Sequence, residues 1–64
     1  MEVMINGAPA QIDEDITVAE LVASRASRHV AVALNGAVVP RGVWDATRLQ
    51  PGDTVEVLAP VAGG

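Results

Sequence analysis

Residues 5–36 read INGAPAQIDEDITVAELVASRASRHVAVALNG, a stretch that opens and closes on Asn-Gly between apolar flanks. Asn-Gly is the strongest short-range signal for a two-residue β-hairpin, because both turn positions need positive φ and these two residues tolerate it best. Hairpins are therefore expected at Asn6-Gly7 and at Asn35-Gly36. The first joins Glu2 to Ile5 with Ala8 to Ile12, and the second joins Val30 to Leu34 with Ala37 to Val39. Between them, Thr17 and Glu20 stand three residues apart as a capping box, with Ile16 and Leu21 placed for a hydrophobic staple. A helix should begin at Val18 and put Val18, Leu21, Val22 and Ala26 on one face. Its end is expected near Ser27, with Arg25 and Arg28 close to the negative end of the helix dipole.

Outward from this frame, Pro40 ends the fourth extended run. WDATRLQPGD reads as irregular backbone with room for one helical turn, closed by Pro51-Gly52. TVEVLAPV then alternates, with Val55 and Val57 on one side and Thr54, Glu56 and Leu58 on the other. The order is strand, strand, helix, strand, strand, strand. Its simplest compact form is an α+β domain in which a mixed five-stranded sheet packs on one main helix. The first and last strands belong in central slots, since Val55 to Leu58 is too apolar for a bare edge. One short helix cannot cover both faces of such a sheet, so apolar surface should stay open for a partner.

Composition narrows the function. The 64 residues contain no cysteine and no lysine, which removes disulfides, thiolate metal sites, cysteine nucleophiles and Schiff-base lysines. A formal charge of −4 argues against nucleic acid or an anionic membrane as partner and favours a basic protein surface. No apolar run reaches the roughly 20 residues of a membrane span, and MEVMING lacks the pattern of a signal peptide. A cytoplasmic location is expected.

Catalytic groups are scarce. The sole histidine, His29, has no orienting partner in view and reads as a solvated or locally hydrogen-bonded residue. Asp13, Glu14 and Asp15 lack the ligand spacing of a calcium loop and suit the positive end of the helix that follows. Trp44, the only aromatic, is either a core plug or a binding hot spot, and a core with no other aromatic favours the plug. Arg41 and Arg48 read as solvated surface charges, or as partners for the acids of another protein. Residues 59–64, APVAGG, are small and uncharged and could be a frayed end; extended, six residues reach about 20 Å.

Taken together, INGA, LNGAVVPR, the VW that follows, LQPGDTVEVL and the closing VAGG are similar, in that order, to the ubiquitin-like sulfur carriers of the MoaD/ThiS family. Within it they most closely resemble the small ThiS type of thiamine biosynthesis. The resemblance implies a β-grasp domain over residues 1–58 and a flexible tail over 59–64. It implies a protein cosubstrate rather than an enzyme, with no cofactor of its own. A ThiF-like adenylating enzyme would use ATP and magnesium to activate the Gly64 carboxylate. Sulfur from a cysteine persulfide, supplied by a cysteine desulfurase, would then replace AMP, and the resulting thiocarboxylate would serve a ThiG-like thiazole synthase. Related carriers, such as the small subunit of molybdopterin synthase or a carrier for cysteine synthesis, and a β-grasp binding module without carrier function, are the alternatives.

On that resemblance, Gly63 and Gly64 suit a narrow enzyme channel because neither has a Cβ to collide with its walls. Pro60, Val61 and Ala62 would line the rest of the channel, and Leu58 with neighbouring strand residues would meet the partner. Ordering such a tail costs roughly 1 to 2 kcal/mol per residue, which the docked sheet face must offset.

Overall fold

The computed structural model describes residues 1–25 and 30–58. The strands are β1 (Glu2–Ile5), β2 (Ala8–Gln11), β3 (Ala31–Leu34), β4 (Ala37–Val38) and β5 (Thr54–Leu58), and the helix α1 is Val18–Arg25. Ala26, Arg28, His29 and the predicted helix end at Ser27 lie outside the described residues, as do residues 59–64.

Both Asn-Gly pairs turn as their chemistry requires, with φ of 51° at Asn6 and at Asn35 and 83° and 87° at the glycines that follow. The expected ends are trimmed by one residue: β2 stops at Gln11, β3 starts at Ala31 and β4 stops at Val38. Pairing nonetheless runs on past two of these ends. The amide of Ile12 donates to the Met1 carbonyl at 2.9 Å and that of Val39 to the Val32 carbonyl at 2.8 Å.

The capping box forms as the sequence predicts. Thr17 Oγ1 accepts from the Glu20 amide at 3.1 Å, and Glu20 Oε1 accepts from the Thr17 amide at 2.9 Å. The Val18 amide, left without an intrahelical acceptor at the first turn, donates instead to the Thr47 carbonyl at 2.8 Å.

A six-residue 3-10 segment, Arg41–Ala46, falls earlier than the single turn expected within WDATRLQPGD. Pro40 is the reason: its fixed φ, here −59°, ends the strand, and its carbonyl accepts from the Val43 amide at 3.0 Å to start the turn. Trp44 is thereby carried inward.

The sheet order is β2-β1-β5-β3-β4, with β1 and β5 parallel and the other pairs antiparallel. The last strand thus takes the middle slot and the first lies beside it, as their apolar content demands. Val18, Leu21 and Val22 of α1 form one buried cluster with Val30, Val32, Trp44, Leu49 and Val55. This is the ubiquitin-like β-grasp arrangement, a mixed five-stranded sheet with one helix on a single face.

Trp44 is a plug, 7% exposed, with its indole N–H donated to the Val39 carbonyl at 2.8 Å. The two arginines are exposed, as expected of surface charges, and each also reaches a backbone carbonyl of another loop. Arg41 lies 4.6 Å above the Trp44 ring and donates to the Val30 carbonyl at 3.1 Å. Arg48 donates to the Asp15 carbonyl at 2.6 Å and pairs with Thr17 across an isolated bridge. Each planar head reaches a carbonyl distant in sequence and so fastens one loop to another.

Candidate functional site

Strand alternation sorts the sheet into two faces. Val3, Val32 and Val55 point to the helix side and are buried. On the other face, Leu58 lies opposite Ala31, and Ala33 lies between Glu56 and Val38. Leu58 and Val38 are 57% and 75% exposed, so the face that the helix leaves uncovered carries large aliphatic groups with a carboxylate among them. Glu2 pairs with Gln11 toward the far edge, and among the described residues no strand contributes an arginine. A partner with apolar contacts and basic groups would complement this surface.

The centre of that face is β5, and both hairpin turns grip it. In the parallel β1–β5 pair the Asn6 amide donates to the Val55 carbonyl at 2.9 Å. The next rung of a parallel ladder would run from the Val57 amide to the Asn6 backbone carbonyl. Asn6 has already turned away, and its side chain supplies the rung: Oδ1 accepts from the Val57 amide at 2.8 Å, and Nδ2 donates to the Val57 carbonyl at 3.3 Å.

Asn35 does the same in the antiparallel β3–β5 pair. Its amide donates to the Thr54 carbonyl at 2.7 Å, and its Oδ1, in place of its backbone carbonyl, accepts from the Thr54 amide at 2.9 Å. Its Nδ2 also donates to Asp53 Oδ1 at 3.1 Å. Neither side-chain role follows from the turn rule, which asks only for positive φ. The available signal was that both turns use Asn where Gly would satisfy the backbone.

Among the expected site residues, Leu58 lies at the end of β5 on the open face. Pro60, Val61, Ala62, Gly63 and Gly64 lie outside the described residues. Asp13, Glu14 and Asp15 border a shallow cleft at the start of α1 with Thr17, Glu20, Ser24 and Arg48. Hydrogen bonds from the Thr17 backbone and then from its side chain hold the Glu20 carboxyl below its ordinary pKa of 4.5, with Arg48 adding a smaller attraction and desolvation opposing. Among the described residues no three His, Cys, Asp or Glu side chains are grouped to hold a metal ion. No described helix is long and apolar enough to cross a membrane.

A mixed five-stranded sheet with one helix-covered face and one open aliphatic face places the chain in the class of small ubiquitin-like β-grasp domains. The ThiS family model matches residues 3–64, and the chain belongs to that family, which places it among the sulfur carriers of thiamine biosynthesis. It is similar to the crystal structure of the thiamine biosynthesis protein ThiS from Geobacter metallireducens, at 38% identity over 100% of both chains with a TM-score of 0.85. The solution structure of a thiamine biosynthesis protein from the same organism matches at 38% identity and a TM-score of 0.83, over 100% of this chain and 88% of that one. No protein of curated function matches the sequence.

Proposed function

We propose that this chain carries sulfur on the carboxyl group of Gly64 as the cosubstrate of partner enzymes. A ThiF-like enzyme, using ATP and magnesium, joins the carboxylate to AMP with release of pyrophosphate. The outer sulfur of a cysteine persulfide then displaces AMP to give an acyl disulfide. A second thiol of the partner enzyme cleaves its S–S bond, ending as a disulfide with the former persulfide cysteine, and the thiocarboxylate so released donates sulfur to a ThiG-like thiazole synthase. The carrier supplies no catalytic group: its own residues present the carbonyl and hold the partner.

The observation that carries this reading is the family match, which runs through Gly63 and Gly64 as well as the folded domain. The open face around Leu58 supports it, because it offers apolar surface next to the strand from which residues 59–64 continue. Glycine at the last two positions would admit enzyme backbone on every side of the reacting carbonyl. Absence of cysteine and lysine leaves no strong internal nucleophile to capture an activated carboxyl group.

The test is conversion in a cell extract with ATP, magnesium and cysteine, followed by intact mass measurement. One oxygen should be exchanged for sulfur, located on the C-terminal fragment and alkylated by a thiol-directed reagent. Oxidation of Met1 or Met4 gives nearly the same nominal shift, so the location is essential. An unmodified C-terminal fragment, in an extract that converts a known carrier, would remove the carrier reading.

A further inference from the structure

We infer that Asn6-Gly7 is a site of spontaneous deamidation in the folded chain, and that Asn35-Gly36, nearly identical in sequence, is restrained there by Asp53. The inference stands apart from the sulfur chemistry. In this conversion the backbone nitrogen of the glycine attacks Cγ of the preceding asparagine. The new C–N bond closes a cyclic imide as the bond to Nδ2 breaks, and Nδ2 departs as ammonia with the proton of the attacking amide. Water then opens the ring at either carbonyl, leaving aspartate, or isoaspartate with one more carbon in the main chain. The only co-reactant is water.

The two sites are chemically alike. Each asparagine is followed by Gly-Ala and preceded by an aliphatic residue, Ile5 or Leu34. Glycine leaves the attacking nitrogen without a neighbouring side chain, and a Cβ on Gly7 or Gly36 would meet no atom within 4 Å. The fold therefore distinguishes them only by its grip on the asparagine amide, which must leave its partners before Cγ can turn back to the glycine nitrogen.

That grip is unequal. Asn6 is held by the Val57 backbone, with Oδ1 accepting at 2.8 Å and Nδ2 donating at 3.3 Å. The second bond lies beyond the usual range of about 2.7–3.2 Å and is weak. It also lies past the last rung of the β1–β5 pair, where Ile5 meets Val55, and such ends open most readily. Asn35 accepts from the Thr54 amide at 2.9 Å and donates to the Asp53 carboxylate at 3.1 Å. Bonds to a charged acceptor are roughly twice as strong as neutral ones. Asp53 is itself fixed, since its Oδ2 accepts from the Gln50 amide at 2.8 Å.

Conversion at position 6 would loosen the central strand. Aspartate still accepts from the Val57 amide but sets a carboxylate against the Val57 carbonyl. Isoaspartate lengthens a two-residue turn whose positive φ values, 51° and 83°, match the twist of the flanking strands.

The experiment incubates the full chain at mildly alkaline pH, with and without guanidinium chloride, and samples it over time. Trypsin, cutting after arginine at mildly acidic pH, puts Asn6 in residues 1–25 and Asn35 in residues 29–41. Both sites are thus read by mass from one sample, and isoaspartate by methyltransferase labelling. In denaturant the two should convert at rates within about twofold, since their structural restraints are gone. In the folded chain Asn6 should convert about tenfold more slowly than in denaturant. Asn35 should be slower still by about fivefold or more. Asp53→Ala should raise the Asn35 rate toward that of Asn6 and leave Asn6 unchanged. If that variant melts early and both sites speed up, the folded-to-denatured ratios of the wild type decide. Asn35 converting as fast as Asn6 in the folded wild type overturns the inference. So does an Asn35 rate untouched by Asp53→Ala, or a folded Asn6 that stays unconverted through many half-lives of the denatured sample.

Discussion

The two hairpins begin from nearly the same words, INGAPA and LNGAVV, and make the same turn with φ of 51° at each asparagine. They then grip opposite ends of one strand. β1 runs parallel to β5, so the turn at its end lies beside the later half of β5, and Asn6 reaches Val57. β3 runs antiparallel, so its turn lies beside the beginning, and Asn35 reaches Thr54. Local sequence sets the turn and the side chain that extends the ladder, while strand direction decides which end of the partner is held. The halves also differ in support. The second leans on Pro40, the 3-10 segment and Trp44, whereas the edge of the first is a strand whose Pro9 faces Met4.

The strongest way to break the comparison is to remove the support that only the second half has. Trp44→Ala deletes a buried indole, its bond to Val39 and the platform under Arg41. Truncating a buried aromatic costs about 3–5 kcal/mol. That rivals the whole stability of so small a domain, at roughly 0.05–0.15 kcal/mol per residue. Urea unfolding should show most of the cooperative transition lost, and a loss below about 1 kcal/mol would mean that Trp44 is peripheral.

Next in size is Thr17→Ala. It removes the acceptor for the Glu20 amide, while the Val18 bond to Thr47 remains. A lost helix cap costs about 1 kcal/mol and at most about 2. Hydrogen exchange should rise most in the second half, whose Val30, Val32 and Trp44 share the buried cluster with the helix, and less in the first, which adds the partly buried Ile5 and Ile12. Asn35→Gly and Asn6→Gly should each cost about 1 kcal/mol, since the lost hydrogen bonds are exposed and glycine relieves the cost of positive φ. Asn35→Gly should cost the more, because Asn35 also holds Asp53, whose Oδ2 accepts from the Gln50 amide at 2.8 Å. Equal midpoints in urea would show that the Asp53 contact adds nothing.

A smaller effect is expected from pH. Glu20 has a folded pKa below its ordinary 4.5, so its contribution to stability is present above that value and is lost as pH falls through the lower, folded one. Glu20→Gln should therefore melt earlier than wild type near neutral pH, with the gap closing as the medium is acidified below 4.5. A gap that stays constant to the acid limit would mean that the carboxylate charge does not contribute.

Where the sequence spoke clearly, a local rule and the global packing demanded the same thing. Asn-Gly turns, the Thr17–Glu20 box and the alternation of Val55 and Val57 each needed only a few neighbouring residues. The central place of β5 was legible because an apolar run cannot be an edge. Arg41 and Arg48 were legible as exposed charges but not in their contacts, since a guanidinium reaching a carbonyl 11 or 33 residues away leaves no mark in its neighbourhood. Asn6 was half legible: its φ was written locally, and its bond to Val57 depends on where the last strand settles. Of the expected site, Leu58 was placed by alternation alone, and the Gly-Gly end was read from residue type and from the order of motifs.

The smallest expected change in the fold is also the one that bears most on the open face. Leu58 is 57% exposed and its neighbour across the strand is Ala31, so Leu58→Asp removes little buried surface. It should shift stability by no more than about 0.5 kcal/mol, as surface substitutions do. Glu56 lies two residues earlier on the same face, and a second carboxylate there would repel it only weakly through water. Binding is a different matter, because a charge placed at the centre of an apolar contact must be desolvated without a partner. The adenylating enzyme should therefore show a raised KM for Leu58→Asp with kcat little changed. An unfolded Leu58→Asp would assign the residue to the core. A folded variant with unchanged KM would move the docking surface elsewhere, and the exposed side chains of Val38 and Val43 would be tested next.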